Sequence, residues 1–352
     1  MILTDSMLDA AFRFRAVEPW SELTDSDIFA VSTSCGIVYC SVMGNAGEHH
    51  SLGIYIGEKG FCTYLHTLVL NGKSSIEAML DAITFDCINC DFMQAKDIED
   101  NVKKVIRQYA ENHGIKIPRK YGWVDFTRFR PYRGQWCITD GDDAKIAEEA
   151  LRAATFFADN FHGKNYEAVG LDPLGKYPPP KGGKQIPLVT ANEDGSYTIS
   201  QTTTPPLIDV EYIQPMFSNQ VLVHSVTNMK NTADVECRLL HIPAPVMPQD
   251  GEPPVYPGVF IMVDSHSGEM LFPLMTTDYP NDADRLLTEL ANHLCSLGRH
   301  PKRMIVGDEL THSLLTDFCK KCGIELNMAD SLPNLEDVCA TMIQQMLMGM
   351  ML

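Results

Sequence analysis

The chain has 352 residues, 45% of them hydrophobic and 21% charged, with 46 acidic against 28 basic side chains and a formal charge of −18. That length exceeds what one core usually absorbs, so two or three domains are expected, and the composition excludes a disordered or collagen-like chain. The charge repels phosphate polyanions, so nucleic acid is not an expected partner unless a local basic patch is present.

Met1 to Trp20, with Asp5 and Asp9, lacks the basic-then-apolar pattern of an export leader. No apolar stretch reaches the roughly 18 residues that span a bilayer. Eleven cysteines, odd in number and scattered singly, suit a reducing compartment, and the chain is expected in the cytoplasm. Short β-branched and aromatic runs at 28–32, 37–43, 52–56 and 61–65, separated by glycines, predict a β-meander. Helical spacing follows at 75–85, at 97–112 before Gly114, and at 142–161, each with acidic residues near its start. Residues 1–162 therefore read as an α+β domain.

Two proline-rich stretches punctuate the rest. Residues 163–187, with Pro178, Pro179 and Pro180 before Gly182 and Gly183, are expected to be an exposed linker. A second boundary is expected at 243–257. Between them, 188–242 reads as a β-rich middle segment, with Asp194-Gly195 as a hairpin turn and strands extending through 221–226 and 235–241. The C-terminal unit, 258–352, opens with strands at 259–263 and 270–275. It continues with a helix at 282–297, a strand at 304–306, a helix at 310–322 stopped by Gly323, a strand at 324–328 and a helix at 335–346. Helices alternating with strands imply right-handed crossovers and a mixed α/β sheet.

That order of elements is similar to part of the ribonuclease H-like fold, although only two opening strands are legible where that fold has three. Such enzymes hold two metal ions between carboxylates on strands and helices. Asp264, Glu289, Asp308 or the adjacent Glu309, and Asp337 occupy corresponding slots as candidate catalytic residues. The competing reading is that strand-end aspartates cap turns and helices. Basic and aromatic residues interleave from Lys116 to Trp136, so Arg119, Trp123, Arg128, Arg130 and Arg133 are candidate binding residues for a nucleotide or single strand. The competing reading places the aromatics in the core and pairs the arginines with Asp140, Asp142, Asp143, Glu148 and Glu149.

Cys87–Cys90 and Cys319–Cys322 are C-x-x-C pairs, read as lying in or at the ends of helices and too remote to share a zinc. His49 and His50 sit in a glycine-rich loop with Glu48 and are expected to be solvated, because neighbouring side chains on a strand point apart. No metal site and no cofactor are assigned, and no G-x-G-x-x-G, P-loop, G-x-S-x-G or H-E-x-x-H motif occurs. Met342, Met346, Met348, Met350 and Met351 make the C-terminus a candidate surface for a protein partner or self-association.

Trp20-x-x-Leu23-x-Asp25-x-Asp27-x-Phe29, with Val42-Met43-Gly44-x-x-Gly47-Glu48 and Leu52-Gly53-Ile54-Tyr55-Ile56-Gly57, resembles the N-terminal module of a bacterial family of unknown function. Gly298-Arg299-His300-Pro301, leading into Ile305-Val306 and a later Leu332-Pro333-x-Leu335, resembles its C-terminal module. The resemblance implies two modules and no catalytic residues. The expected function is accordingly an interaction or binding role, with metal-dependent phosphodiester chemistry as the alternative.

Overall fold

The computed structural model describes residues 1–47, 49–69, 83–161, 183–206, 212–242, 244–248 and 251–350, without the side chains of 343 and 345–350. It is a mixed α and β structure that divides into two units, Met1–Pro131 with Gln135–Ile208, and Tyr132–Gly134 with Asp209–Leu352. No helix among the described residues is long and apolar enough to cross a membrane.

The first unit is built on an eight-stranded sheet. Its strands are β1 (Phe29–Thr33), β2 (Gly36–Met43), β3 (His50–Ile56), β4 (Cys87–Met93), β5 (Trp123–Phe129), β6 (Trp136–Cys137), β7 (Gln185–Ala191) and β8 (Tyr197–Thr203), in the order β6-β5-β4-β3-β2-β1-β7-β8. Neighbours are antiparallel except β1 and β7, which run parallel. Among the described residues four helices accompany it: α1 (Asp5–Val17), α2 (Gly57–Val69), α3 (Asp100–His113) and α4 (Gly141–Phe161).

Helix α1 begins where the Thr4 side chain accepts the Met7 N–H, and it buries Met7, Leu8, Ala11 and Phe14 at helical spacing. Alanines at 144, 147, 150, 154 and 158 give α4 a thin buried face, and Phe157 stacks on Phe29 of β1 at 4.4 Å between ring centres. The opposite sheet face is covered by α2, whose Phe61 and Tyr64 stack on Tyr39 and Tyr55, each at 4.1 Å.

The second unit carries a two-stranded pair, β9 (Lys230–Thr232) with β13 (Arg299–Pro301). It also carries a five-stranded sheet of β10 (Val235–His241), β11 (Gly258–Asp264), β12 (Met270–Thr276), β14 (Arg303–Val306) and β15 (Glu325–Met328). The sheet order is β12-β11-β10-β14-β15, with β10 antiparallel to β11 and parallel to β14. The helices are α5 (Gln220–Thr227), α6 (Ala283–Leu297), α7 (Glu309–Cys322) and α8 (Pro333–Met350). Leucines 286, 290, 294 and 314 with Phe318 pack one face against Leu239 and Phe260, while Leu335 and Cys339 of α8 pack the other against Leu240, Ile261 and Val263.

Several expectations are corrected here. The span 188–242 is not one middle segment: β7 and β8 extend the first sheet, and β10 is the central strand of the second. The stretch 243–257 is not a boundary either, because it connects the hydrogen-bonded neighbours β10 and β11. Residues 61–65 are helical rather than a strand, since Phe61, Tyr64 and Leu65 repeat at the helical interval and all enter one core cluster. Residues 221–226 are helical rather than a strand, started by Asn219, whose side chain accepts the Leu222 N–H. The expected helix at 75–85 and the linker at 163–187 fall largely outside the described residues.

Candidate functional site

Where α6 ends, Gly298 takes a left-handed conformation (φ 63°) that L side chains rarely adopt, and its N–H bonds to the Cys295 carbonyl. The turn releases Arg299, His300 and Pro301 into β13, which pairs in parallel with β9. His300 is buried, and because the Pro301 carbonyl 2.8 Å from its Nδ1 only accepts, Nδ1 carries the proton of that bond. Beside this turn lies a cavity of about 50 Å³ with apolar walls from Val235, Met262, Leu271, Leu294 and Leu297, and with Asp264, Arg299 and His300 also lining it.

Magnitude decides what this cavity accepts. A water needs roughly 10–15 Å³ by the same measure, and pockets that enclose small molecules run to about 300–1,000 Å³. The space therefore admits a few waters or the tip of one side chain, and is too small to enclose a nucleotide. A depression near Trp20, bordered by Val17, Leu23 and Phe161, is smaller still at about 10 Å³.

The charges around the cavity are unevenly answered. Asp264 Oδ1 accepts the N–H groups of Ser267 (2.8 Å) and His266 (2.9 Å), and these bonds hold its carboxyl below the usual carboxylate range. In the β9–β13 register, Arg299 stands opposite Lys230, two exposed cations on one face. Neither forms an ion pair among the described residues. The other arginines of the unit each meet a carboxylate: Arg133 with Asp278 (3.0 Å), Arg238 with Asp308 (3.8 Å), Arg285 with Asp282 (2.7 Å), and Arg303 with Asp234.

The four carboxylates proposed for metal chemistry do not come together. Asp264 lies on β11, beside the central strand, and serves its own turn. Asp308 caps α7 by accepting the Thr311 N–H at 2.7 Å. Glu289 is exposed on α6 and Asp337 is exposed on α8. Among the described residues no three His, Cys, Asp or Glu side chains are grouped to hold a metal ion.

The carboxylate that sequence reasoning missed is Glu236 on β10. It is buried and accepts the Leu335 N–H (2.9 Å) and the Asn334 side-chain amide (3.2 Å) at the start of α8. The signal for it was an acidic residue inside an otherwise apolar strand.

The arginine-aromatic stretch is likewise distributed. Trp123 is buried on β5 with the Arg107 guanidinium 5.3 Å from its ring centre. Arg128 is buried, pairing with Asp86 (2.6 Å) and Asp143 (3.0 Å) and donating to the Phe129 carbonyl. Arg130 meets the second oxygen of Asp143 at 2.8 Å. Arg119 stays exposed, and Arg133 lies in the second unit. Arg128 and Arg130 of the run thus answer carboxylates of the first unit.

The histidine loop and the first C-x-x-C also differ from expectation. His49 Nε2 lies 2.9 Å from Asp91 Oδ1, while His50 is buried between Trp20 and Tyr121, where burial lowers its pKa. Asp125 stands opposite Asp91 across β4 and β5, and burial followed by the Asp91 charge raises its carboxyl pKa. Cys87 and Cys90 lie on strand β4 rather than in a helix, and an interval of three sends them to opposite faces, into different core clusters. Burial pushes the Cys87 thiol up to about 12 and Cys322 to about 11, and raises Cys90 and Cys319 as well, away from the thiolate form that binds zinc or does redox work.

A mixed α and β protein of two units, with a side-chain-sized cavity in the second, is thus the class that fold and site define. Residues 5–170 match a domain of unknown function, DUF7309, and residues 224–343 match a second, DUF6930, so the chain carries two domains of unknown function. No curated protein matches it. One solved structure that matches is titled "CryoEM structure of simian T-cell lymphotropic virus intasome in complex with PP2A regulatory subunit B56 gamma". It has 11% identity and a TM-score of 0.22 over 38% of this chain and 44% of that one. This chain thus spans less than half of that chain's length, and a likeness at this level carries no argument. The DUF6930 match contains the whole cavity, whereas the β7–β8 hairpin lies beyond the DUF7309 match although it belongs to the first sheet.

Proposed function

We propose that this protein acts by binding another protein rather than by chemistry at a metal, and that the second unit is its interaction module. One observation carries the reading: three acidic side chains on the second unit's sheet and helix starts are already committed to the fold. Glu236 holds the start of α8, Asp264 its own turn and Asp308 the start of α7. A two-metal site instead gathers carboxylates whose mutual repulsion is relieved by the ions. The strand order supports a ribonuclease H-like frame for this unit. The eleven free thiols support a cytoplasmic setting, since an oxidising compartment favours disulfides.

Thermal melts with and without millimolar Mg²⁺ or Mn²⁺ test this, because an ion bound only by the folded state raises the melting temperature by linkage. The expected result is an unchanged Tm for wild type and for Asp264→Asn. A Mn²⁺-dependent rise that is lost in both Asp264→Asn and Asp308→Asn overturns the reading.

A further inference from the structure

We propose that the exposed face of the β9–β13 pair and the cavity beside it bind an acidic peptide segment that inserts one aliphatic side chain. The inference rests on the interaction reading above and names the class of partner.

Its first support is charge. Like charges directly opposite each other on neighbouring strands are destabilising, and Lys230 and Arg299 occupy such positions. The chain has carboxylates in excess, at 46 against 28 basic residues, and the other four arginines of the unit use them. Leaving this pair unanswered among the described residues, beside a cavity, makes it a receptor for negative charge supplied from outside, where charge complementarity steers and orients a partner.

Its second support is shape. Val235, Met262, Leu271 and Leu294 wall a space of about 50 Å³ that matches the apolar end of a leucine, isoleucine or methionine. Asp264 on the cavity lining repels an anion from the interior, so the partner's carboxylates lie outward on Lys230 and Arg299 while its apolar tip enters. A nucleic acid offers the phosphate but no aliphatic tip, and it meets a protein of charge −18. In addition, β9 is hydrogen-bonded to β13 alone within its sheet, which leaves an edge for an extended segment.

The test is selection of displayed, randomised short peptides on the full chain, followed by fluorescence anisotropy of the enriched peptides. The expected result is enrichment of sequences with one aliphatic residue flanked by Asp or Glu. Binding should weaken about tenfold or more in Arg299→Glu and in Lys230→Glu, hold in Arg299→Lys, and fall with added salt. Ala233→Phe, which plugs the cavity from an exposed position, should weaken binding without altering the salt dependence. Unchanged melting curves show that these variants fold.

Four results overturn the proposal: no enrichment, enrichment of basic or purely apolar peptides, the same peptides selected on the Lys230→Glu/Arg299→Glu double variant, or a single-stranded oligonucleotide bound more tightly than the best peptide. Self-association of wild type that the double variant abolishes reassigns the face to a second copy of the chain, and likewise overturns it. None of these outcomes depends on the metal-melting result, so the two readings fail separately.

Discussion

Arg128 in the first unit and Arg299 in the second are both arginines flanked by aromatic or basic neighbours in sequence, and the fold uses them in opposite ways. Arg128 is buried, and its guanidinium is divided between Asp86 and Asp143 while also donating to main-chain carbonyls. Arg299 is exposed, faces another cation across a strand pair and borders a cavity. The difference teaches that a run of arginines and aromatics says little about binding until the position of the carboxylates is known. A cation that is answered holds the framework, and one left unanswered is available to a partner.

The largest expected effect breaks the first half of that comparison. Arg128→Met leaves Asp86 and part of Asp143 without their cation in a covered site, and removing one partner of a buried pair typically costs about 3–5 kcal/mol. Chemical denaturation should show a loss of that order in the transition of the first unit. A loss below about 1 kcal/mol would mean that Arg128 is not part of the framework.

The next effect is specific to the second unit and appears with acid. His241 is stacked on Tyr132 at 4.3 Å, and burial lowers its pKa to about 4. A base whose folded value lies below its unfolded value of about 6.5 contributes fully above pH 6.5 and loses that contribution as pH falls toward 4. Each pH unit between those two values is worth roughly 1.4 kcal/mol, so the loss integrates to about 3 kcal/mol. Stability of the second unit measured between pH 7 and 4 should fall accordingly, and His241→Phe should flatten that slope. An unchanged slope in the variant removes His241 as the cause.

The smallest expected effect sharpens the second half. Because Arg299 opposes Lys230 without a carboxylate, Arg299→Ala should leave stability unchanged or raise it by ~0.3 kcal/mol, in contrast to Arg128. A destabilisation above about 1 kcal/mol would show that Arg299 is structural, and it would weaken the case that the face awaits a partner.

Much of this architecture is legible in local chemistry. The hairpin at Asp194-Gly195, helix ends at Gly114, Gly298 and Gly323, and the alternation of helices and strands after 258 follow from turn preferences and periodicity that a few adjacent residues express on their own. Asp264 and Asp308 as turn and cap residues were likewise one of the two readings their positions allowed. What tertiary structure alone decided was partnership. That 235–241 is a central strand, and that 243–257 leads to its neighbour rather than to a new domain, depends on pairing, which no local window contains. The burial of Cys87 and Cys90 on opposite faces depends on a strand that the C-x-x-C spacing does not announce. The cavity shows the point most clearly. The residues of Gly298-Arg299-His300-Pro301 stood out in the chain, but Asp264, Leu271 and Val235 reach them only through the sheet and the β9–β13 register. Sequence carried the residue types and their local turns; charge balance and shape are properties of neighbours distant along the chain, and folding alone brings those neighbours together.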